Sequence, residues 1–300
     1  MQKIRLLKML SMIQPEQKIM NSLSSLIKRF STTILIMLLS VPALTAQTVG
    51  VGQLPNDGAF TSAYSVGAGY TALYDSYLSA NRYSGANLTI SAENIHNRPD
   101  AKIFEYSETE SLLTLSRVID QAGYSYSYDL TFDASLKLDY KLFENNNLTI
   151  YTGPEAVTRL GVIYNPLNSN NPAQLKFYAM IAPHVAGIWR FRVGNYPMAL
   201  GVKSSVPLLG LTFAPEYGQL YYEMYEYDGY SGSIRCAWPL VMPTIYNNIY
   251  LEFPVKTTIL RFSYNYNYSF YHYSDNRSAM SNNGLMIGVV KTFKQIHYGK

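Results

Sequence analysis

The stretch that decides the fold is Tyr124-Ser-Tyr-Ser-Tyr-Asp-Leu-Thr-Phe-Asp-Ala-Ser-Leu-Lys-Leu-Asp-Tyr-Lys-Leu142. Tyr124, Tyr126, Tyr128, Leu130, Phe132, Ala134, Leu136, Leu138, Tyr140 and Leu142 take every second position. Ser125, Ser127, Asp129, Thr131, Asp133, Ser135, Lys137, Asp139 and Lys141 take the others. A side-chain period of two places one set on each face of a β-strand. One face is apolar and aromatic, and the other carries three aspartates and two lysines. Behind an export signal, that combination predicts a membrane barrel with lipid outside and a polar lumen inside.

The export signal is read upstream. Lys28 and Arg29 form a positive region, Thr32 to Leu39 an apolar one, and Val41-Pro-Ala-Leu-Thr-Ala46 leads to a cut before Gln47. The apolar run is shorter than the roughly 20 residues that a membrane-spanning helix needs. Residues 1–46 are thus assigned to the signal region, with Met20 as an alternative start, 47–59 to a short linker, 60–293 to the barrel and 294–300 to a tail. Loss of the leader removes Lys3, Arg5, Lys8, Lys18, Lys28, Arg29 and Glu16. It reduces Lys+Arg from 24 to 18 and Asp+Glu from 20 to 19. The basicity of the whole chain therefore belongs mostly to the leader, which argues against a nucleic-acid partner. The single cysteine, Cys236, forms no internal disulfide and is expected to be buried.

The rest of the chain alternates in the same way over 60–71, 86–95, 108–119, 123–142, 147–163, 173–192, 197–206, 248–255, 257–272 and 283–293. Ten strands place even-numbered connections, such as Glu144–Asn147 and Gly194–Pro197, on one side as compact turns. The longer fifth (165–172), seventh (207–247) and ninth (273–282) connections fall on the other. Pairing of 231–238 with 208–214 would raise the count to twelve. The fold class expected is all-β, a closed antiparallel transmembrane β-barrel of 10 to 12 strands. Its location is the outer membrane of a Gram-negative bacterium, with periplasmic termini. Twenty-eight tyrosines suit the two rims of such a barrel. The last strand, with Leu285, Ile287, Val289 and Phe293, is the kind of segment the barrel assembly machinery receives. Outer-membrane lipid and that machinery are therefore the expected partners.

Several segments together resemble a known family. They are Gly67-Ala-Gly-Tyr70, Tyr74-Asp-Ser-Tyr-Leu-Ser79, Tyr83-Ser-Gly85, Phe191-Arg-Val-Gly-Asn-Tyr-Pro197, Ala214-Pro-Glu-Tyr-Gly-Gln219 with Tyr221-Tyr-Glu223, and Asn165 with Asn168-Ser-Asn-Asn-Pro-Ala173. They are similar to uncharacterised exported proteins of Bacteroidetes over about 60–293. The resemblance implies an outer-membrane barrel and brings no activity, cofactor or catalytic residue.

Two groups of residues are candidates for function. Asp129, Asp133, Lys137, Asp139 and Lys141 would face the lumen, with Arg159, Lys176, Arg190 and Arg192 as partners on neighbouring strands. These charges either line a water-filled route or pair and plug it. Glu216, Tyr217, Tyr221, Tyr222, Glu223, Tyr225, Glu226, Tyr227, Asp228 and Tyr230 form a segment too polar for lipid. It is read as a lid offering ring platforms and acids to a small hydrophilic solute, or as a packed cap. The favoured function is a narrow gated channel for, or surface binder of, such a solute. The alternative is a structural or interaction barrel with a plugged lumen. His96, His184, His272 and His297 form no Ser/His/acid grouping, so a lipid-modifying enzyme is the least favoured reading. No catalytic residue, cofactor or metal site is expected, since the acids lack calcium-loop spacing.

Overall fold

A computed structural model describes residues 50–55, 59–98, 100–168, 172–216, 218–226, 231–256, 258–273 and 275–293. The signal region, the tail and His297 lie outside these residues. The strands are β1 (Phe60–Asp75), β2 (Ser79–Asn97), β3 (Tyr106–Asp120), β4 (Tyr126–Glu144), β5 (Leu148–Tyr164), β6 (Ala173–Val193), β7 (Tyr196–Ser205), β8 (Leu209–Phe213), β9 (Ile234–Ala237), β10 (Thr244–Val255), β11 (Thr258–Tyr273) and β12 (Asn276–Phe293). One short helix, α1 (Tyr221–Glu226), lies between β8 and β9. No helix among the described residues is long and apolar enough to cross a membrane, which says nothing about crossing by strands.

Antiparallel neighbours run β1 to β7, then β10, β11 and β12, and β12 pairs back onto β1 from Phe60↔Phe293 to Asp75↔Ser278. This is a closed ten-strand barrel, and all ten sequence-read strands are in it. Following hydrogen-bonded partners once around the wall returns to β1 displaced by about twelve residues. Such a stagger tilts the strands by about 40° to the axis.

The segments 208–214 and 231–238 do pair, as β8 with β9. They add two short strands and leave the closed barrel at ten. The N-terminal half of β6 (177–181) pairs with β8 and its C-terminal half (184–193) with β7. Thus β8 continues the β7 edge beyond an interruption at 206–208, where Pro207 has no N–H to donate. On the other side, 238–243 connects β9 to β10 while Phe270 and His272 of β11 donate their N–H groups to Pro243 and Val241 (3.1 and 3.2 Å).

Two polar stretches read as loops, 72–85 and 273–282, prove to be mostly strand. Their polar residues alternate: Asn276, Ser278 and Asn282 are buried, whereas Arg277 is exposed. An inward polar residue is satisfied by the lumen, so polarity alone does not end a barrel strand. The decisive stretch behaves as its period requires. Leu130, Phe132 and Leu136 are exposed, while Asp129, Asp133, Lys137 and Asp139 are buried. Every backbone group of a lipid-facing wall must be paired, and closure pairs them without leaving an edge.

Candidate functional site

The interior is filled by side chains from the wall. Ion pairs cross it at three levels, the first near the termini-bearing end. There Lys203 on β7 reaches the opposite wall, 2.8 Å from Glu93 on β2 and 2.9 Å from Glu108 on β3. Glu108 also holds Lys137 at 2.6 Å, and Lys137 holds Glu110 at 2.7 Å. Arg261 on β11 joins Glu93 (3.1 Å) and Glu252 (2.6 Å). Tyr250 lies beneath the cations, with the Arg261 guanidinium 4.2 Å from its ring centre. Alternation of sign along this chain offsets the cost of burying each charge.

At mid-height, Arg159 on β5 makes a two-pronged pair with Asp133, 2.6 and 2.9 Å, and its other nitrogen reaches Ser269 on β11 at 3.3 Å. Asp129 accepts hydrogen bonds from Thr131 (2.9 Å) and Ser116 (3.2 Å). Near the far end, Lys176 on β6 pairs with Asp75 on the opposite strand β1, and donates to Tyr271 (3.0 Å) and Ser278 (2.9 Å).

The sequence-read lumen residues are thus placed as follows. Asp129, Asp133, Lys137 and Asp139 point inward and are buried. Asp139 contacts His184 Nδ1 at 3.0 Å. Lys141 is half-buried at the rim, between Glu105 (3.5 Å) and Glu144 (3.0 Å). Arg159 and Lys176 serve as partners, Lys176 to Asp75 on β1. Arg190 bonds Thr149 and the Gly52 carbonyl, and Arg192 is exposed. Glu93, Glu108, Glu110, Glu155, Lys203, Glu252 and Arg261 were missed. Applying the two-residue period to every strand would have found them, since Glu93, Glu108 and Lys203 alternate with outward neighbours.

Chain segments pack into both ends. Within the stretch read as a linker, residues 50–55 enter the termini-bearing end. Val51 and Leu54 pack against Ile95, Tyr106, Tyr151, Ala186, Ile188 and Ala199. Gly52 has φ +67, and a Cβ there would lie 2.4 Å from that of Ala199. Its N–H donates to Glu252 Oε2 (3.2 Å), which ties this segment to the ion-pair chain.

At the far end, 214–216 and 218–226 lie across the mouth. Tyr77, between β1 and β2, donates to the Gln219 carbonyl (2.6 Å), while Tyr221 donates to Gln174 of β6 across the barrel (2.9 Å) and accepts from Leu175 N–H (2.8 Å). Asn276 donates to the Pro215 carbonyl (3.2 Å), and Met224 is fully buried. Burial pushes the Tyr221 phenol up to about 12. Glu216 pairs with Arg235 at 3.1 Å, and Glu226 is exposed. Of the other lid candidates, Tyr217, Tyr227, Asp228 and Tyr230 lie outside the described residues. Tyr222, Glu223 and Tyr225 belong to α1.

His96 stacks on Phe60 (5.2 Å) and His272 faces outward, so the three described histidines stand apart. Cys236, expected to be buried, is exposed, because positions 234 and 236 of β9 face away from the interior. Among the described residues no three His, Cys, Asp or Glu side chains converge as a metal centre.

A closed antiparallel barrel with an apolar exterior and a charged, hydrogen-bonded interior defines a β-barrel of the transmembrane class. The chain belongs to the family described as "Protein of unknown function (DUF3316)", which matches residues 32–300. No curated protein matches it. Among solved structures, it is similar to the transport unit of the autotransporter AIDA-I from Escherichia coli (6% identity, 89% of this chain and 97% of that one, TM-score 0.45). It is also similar to the outer membrane protease OmpT from Escherichia coli (8%, 82% and 100%, 0.37). A third is the COG4313 outer membrane channel from Pseudomonas putida F1 (12%, 80% and 97%, 0.34). The likeness concerns barrel architecture and carries no activity to this chain.

Proposed function

We propose that this protein is a sealed outer-membrane β-barrel of a Gram-negative bacterium, with periplasmic termini, that acts through its outer mouth by binding a small hydrophilic solute. The observation that carries this reading is the set of ion pairs joining opposite walls, Lys203 to Glu93 and Glu108, and Lys176 to Asp75. A conducting route would have to separate buried pairs whose loss costs about 3–5 kcal/mol each. The tyrosine-rich segment 214–230 is then the contact surface. Outer-membrane lipid surrounds the exposed Leu, Phe and Tyr of the wall, and β12, ending in Phe293, is the strand offered to the assembly machinery.

Conductance in planar bilayers tests the sealed state, with the native protein and with a variant lacking 215–230. Neither should conduct, because the charges near the termini-bearing end remain in place. A step increase on deletion overturns the reading in favour of a lid-gated channel. Asp129, Asp133 and Asp139 share the interior, so their replacement by Asn should lower any cation preference of a conducting form. An enzyme is not proposed.

A further inference from the structure

The interior near the termini-bearing end is short of positive charge. Glu93, Glu108, Glu110 and Glu252 are each in an ion pair with Lys137, Lys203 or Arg261. Two further carboxylates have no lysine or arginine within ion-pair distance, although Glu155 lies opposite Lys137 in the β4–β5 register and feels its charge. Asp139 touches only the His184 ring, its second oxygen having no hydrogen-bond partner. Glu155 is 4% exposed, its Oε2 is buried without a hydrogen-bond partner, and among the described residues it joins no ion pair. Of the other cations at this end, Arg190 is engaged by Thr149 and the Gly52 carbonyl, Lys141 by Glu105 and Glu144 at the rim, and Arg192 is exposed. An uncompensated buried carboxylate costs several kcal/mol, so this negative charge needs a counter-charge.

Space for one lies beside Glu155. A cavity of about 50 Å³ is lined by Glu155, Glu110 and His184 and by the amides Asn248, Asn265 and Asn267. His184 Nε2 and Asn248 Oδ1 are also buried there without partners. Lys137 and Lys203 border it, and each ammonium lies within ion-pair distance of two carboxylates, although Lys203 Nζ makes no well-directed hydrogen bond to either. A cavity needs roughly 10–15 Å³ to hold one water, so this one has room for a small ion and one or two waters. The donor set is oxygen-rich, and no convergent metal cluster exists among the described residues. That excludes a tightly chelated transition metal and suits a weakly held, partly hydrated ion.

We infer that this cavity binds one small monovalent cation, held by Glu155 with amide oxygens of the asparagines and water. The ion is a structural counter-charge for the acid-rich interior, and its binding does not depend on whether the barrel conducts.

The test is refolding from urea into detergent, followed by equilibrium dialysis against thallium(I) nitrate and counting of bound thallium in the presence of free ion. A stoichiometry near one per barrel is expected, falling at least tenfold in Glu155→Gln. The native protein should also unfold at a higher temperature in sodium or potassium chloride than in choline chloride of equal ionic strength, since an ion bound only by the folded state stabilises it. Glu155→Gln should remove that difference. Bound thallium below one-tenth per barrel, or equal unfolding temperatures in choline and potassium, overturns the inference. It leaves protons or water as the occupants. The thallium count on the native protein decides the matter even if the variant fails to fold, and conductance is not one of its readouts.

Discussion

Arg159 shows how much one side chain holds in this interior. Its guanidinium satisfies both oxygens of Asp133 and touches the far wall through Ser269. Arg159→Met is expected to destabilise the barrel by about 3–5 kcal/mol, because Asp133 would remain buried without a partner. Adding Asp133→Leu should restore most of that loss, and urea midpoints of the two variants check the prediction. Gly201 is a different case. A Cβ there would lie 2.0 Å from the Tyr250 ring. Gly201→Ala must therefore displace Tyr250 from Arg261 and Lys203, and a lowered unfolding midpoint with unchanged strand content in circular dichroism is the expected result.

At the scale of elements, α1 and its flanks depend on few contacts, and Tyr221 makes two of the hydrogen bonds. Tyr221→Phe should raise the rate of proteolytic cleavage within 214–233 several-fold while the barrel stays intact on gels. The phenol also predicts a pH dependence. Its pKa in the folded state, about 12, lies above the ordinary value of 10.0, so the folded protein binds this proton more tightly. The contribution is complete below pH 10 and is lost as pH rises through about 12. A difference titration at 295 nm, native minus Tyr221→Phe, should show one tyrosine ionising late. Ionisation of that tyrosine at or below pH 10 would contradict the burial. The β7–β8 and β9–β10 breaks belong to this scale too. They change the neighbour of β6 from β7 to β8 at the far end, on the side from which α1 is reached.

The barrel has ten tilted strands, with residues 50–55 packed into one end and Gln219 and Tyr221 bonded across the other. Closure without edges makes unfolding cooperative and slow. The unboiled protein in dodecyl sulfate should run faster than the boiled form, and the two should differ in mobility at room temperature. A single mobility regardless of heating would be incompatible with a closed barrel.

Strand existence and facing were legible in the chain by itself, because a period of two in Tyr124–Leu142 needs no partner to be read. Local turn chemistry likewise placed the end of β4 and both ends of β5 and β6 to within two residues, while β4 starts three residues later than read. Strand lengths at the far end were not legible, since Asn276 and Ser278 look like loop residues until a lumen exists to receive them. Nor was the exposure of Cys236, which follows from how β9 is placed on β8. The ion pairs depended on the tertiary structure most of all. Lys203 and Glu93 are far apart in sequence and meet only because closure and stagger set β7 opposite β2, so partner choice among inward charges is a property of the closed cylinder.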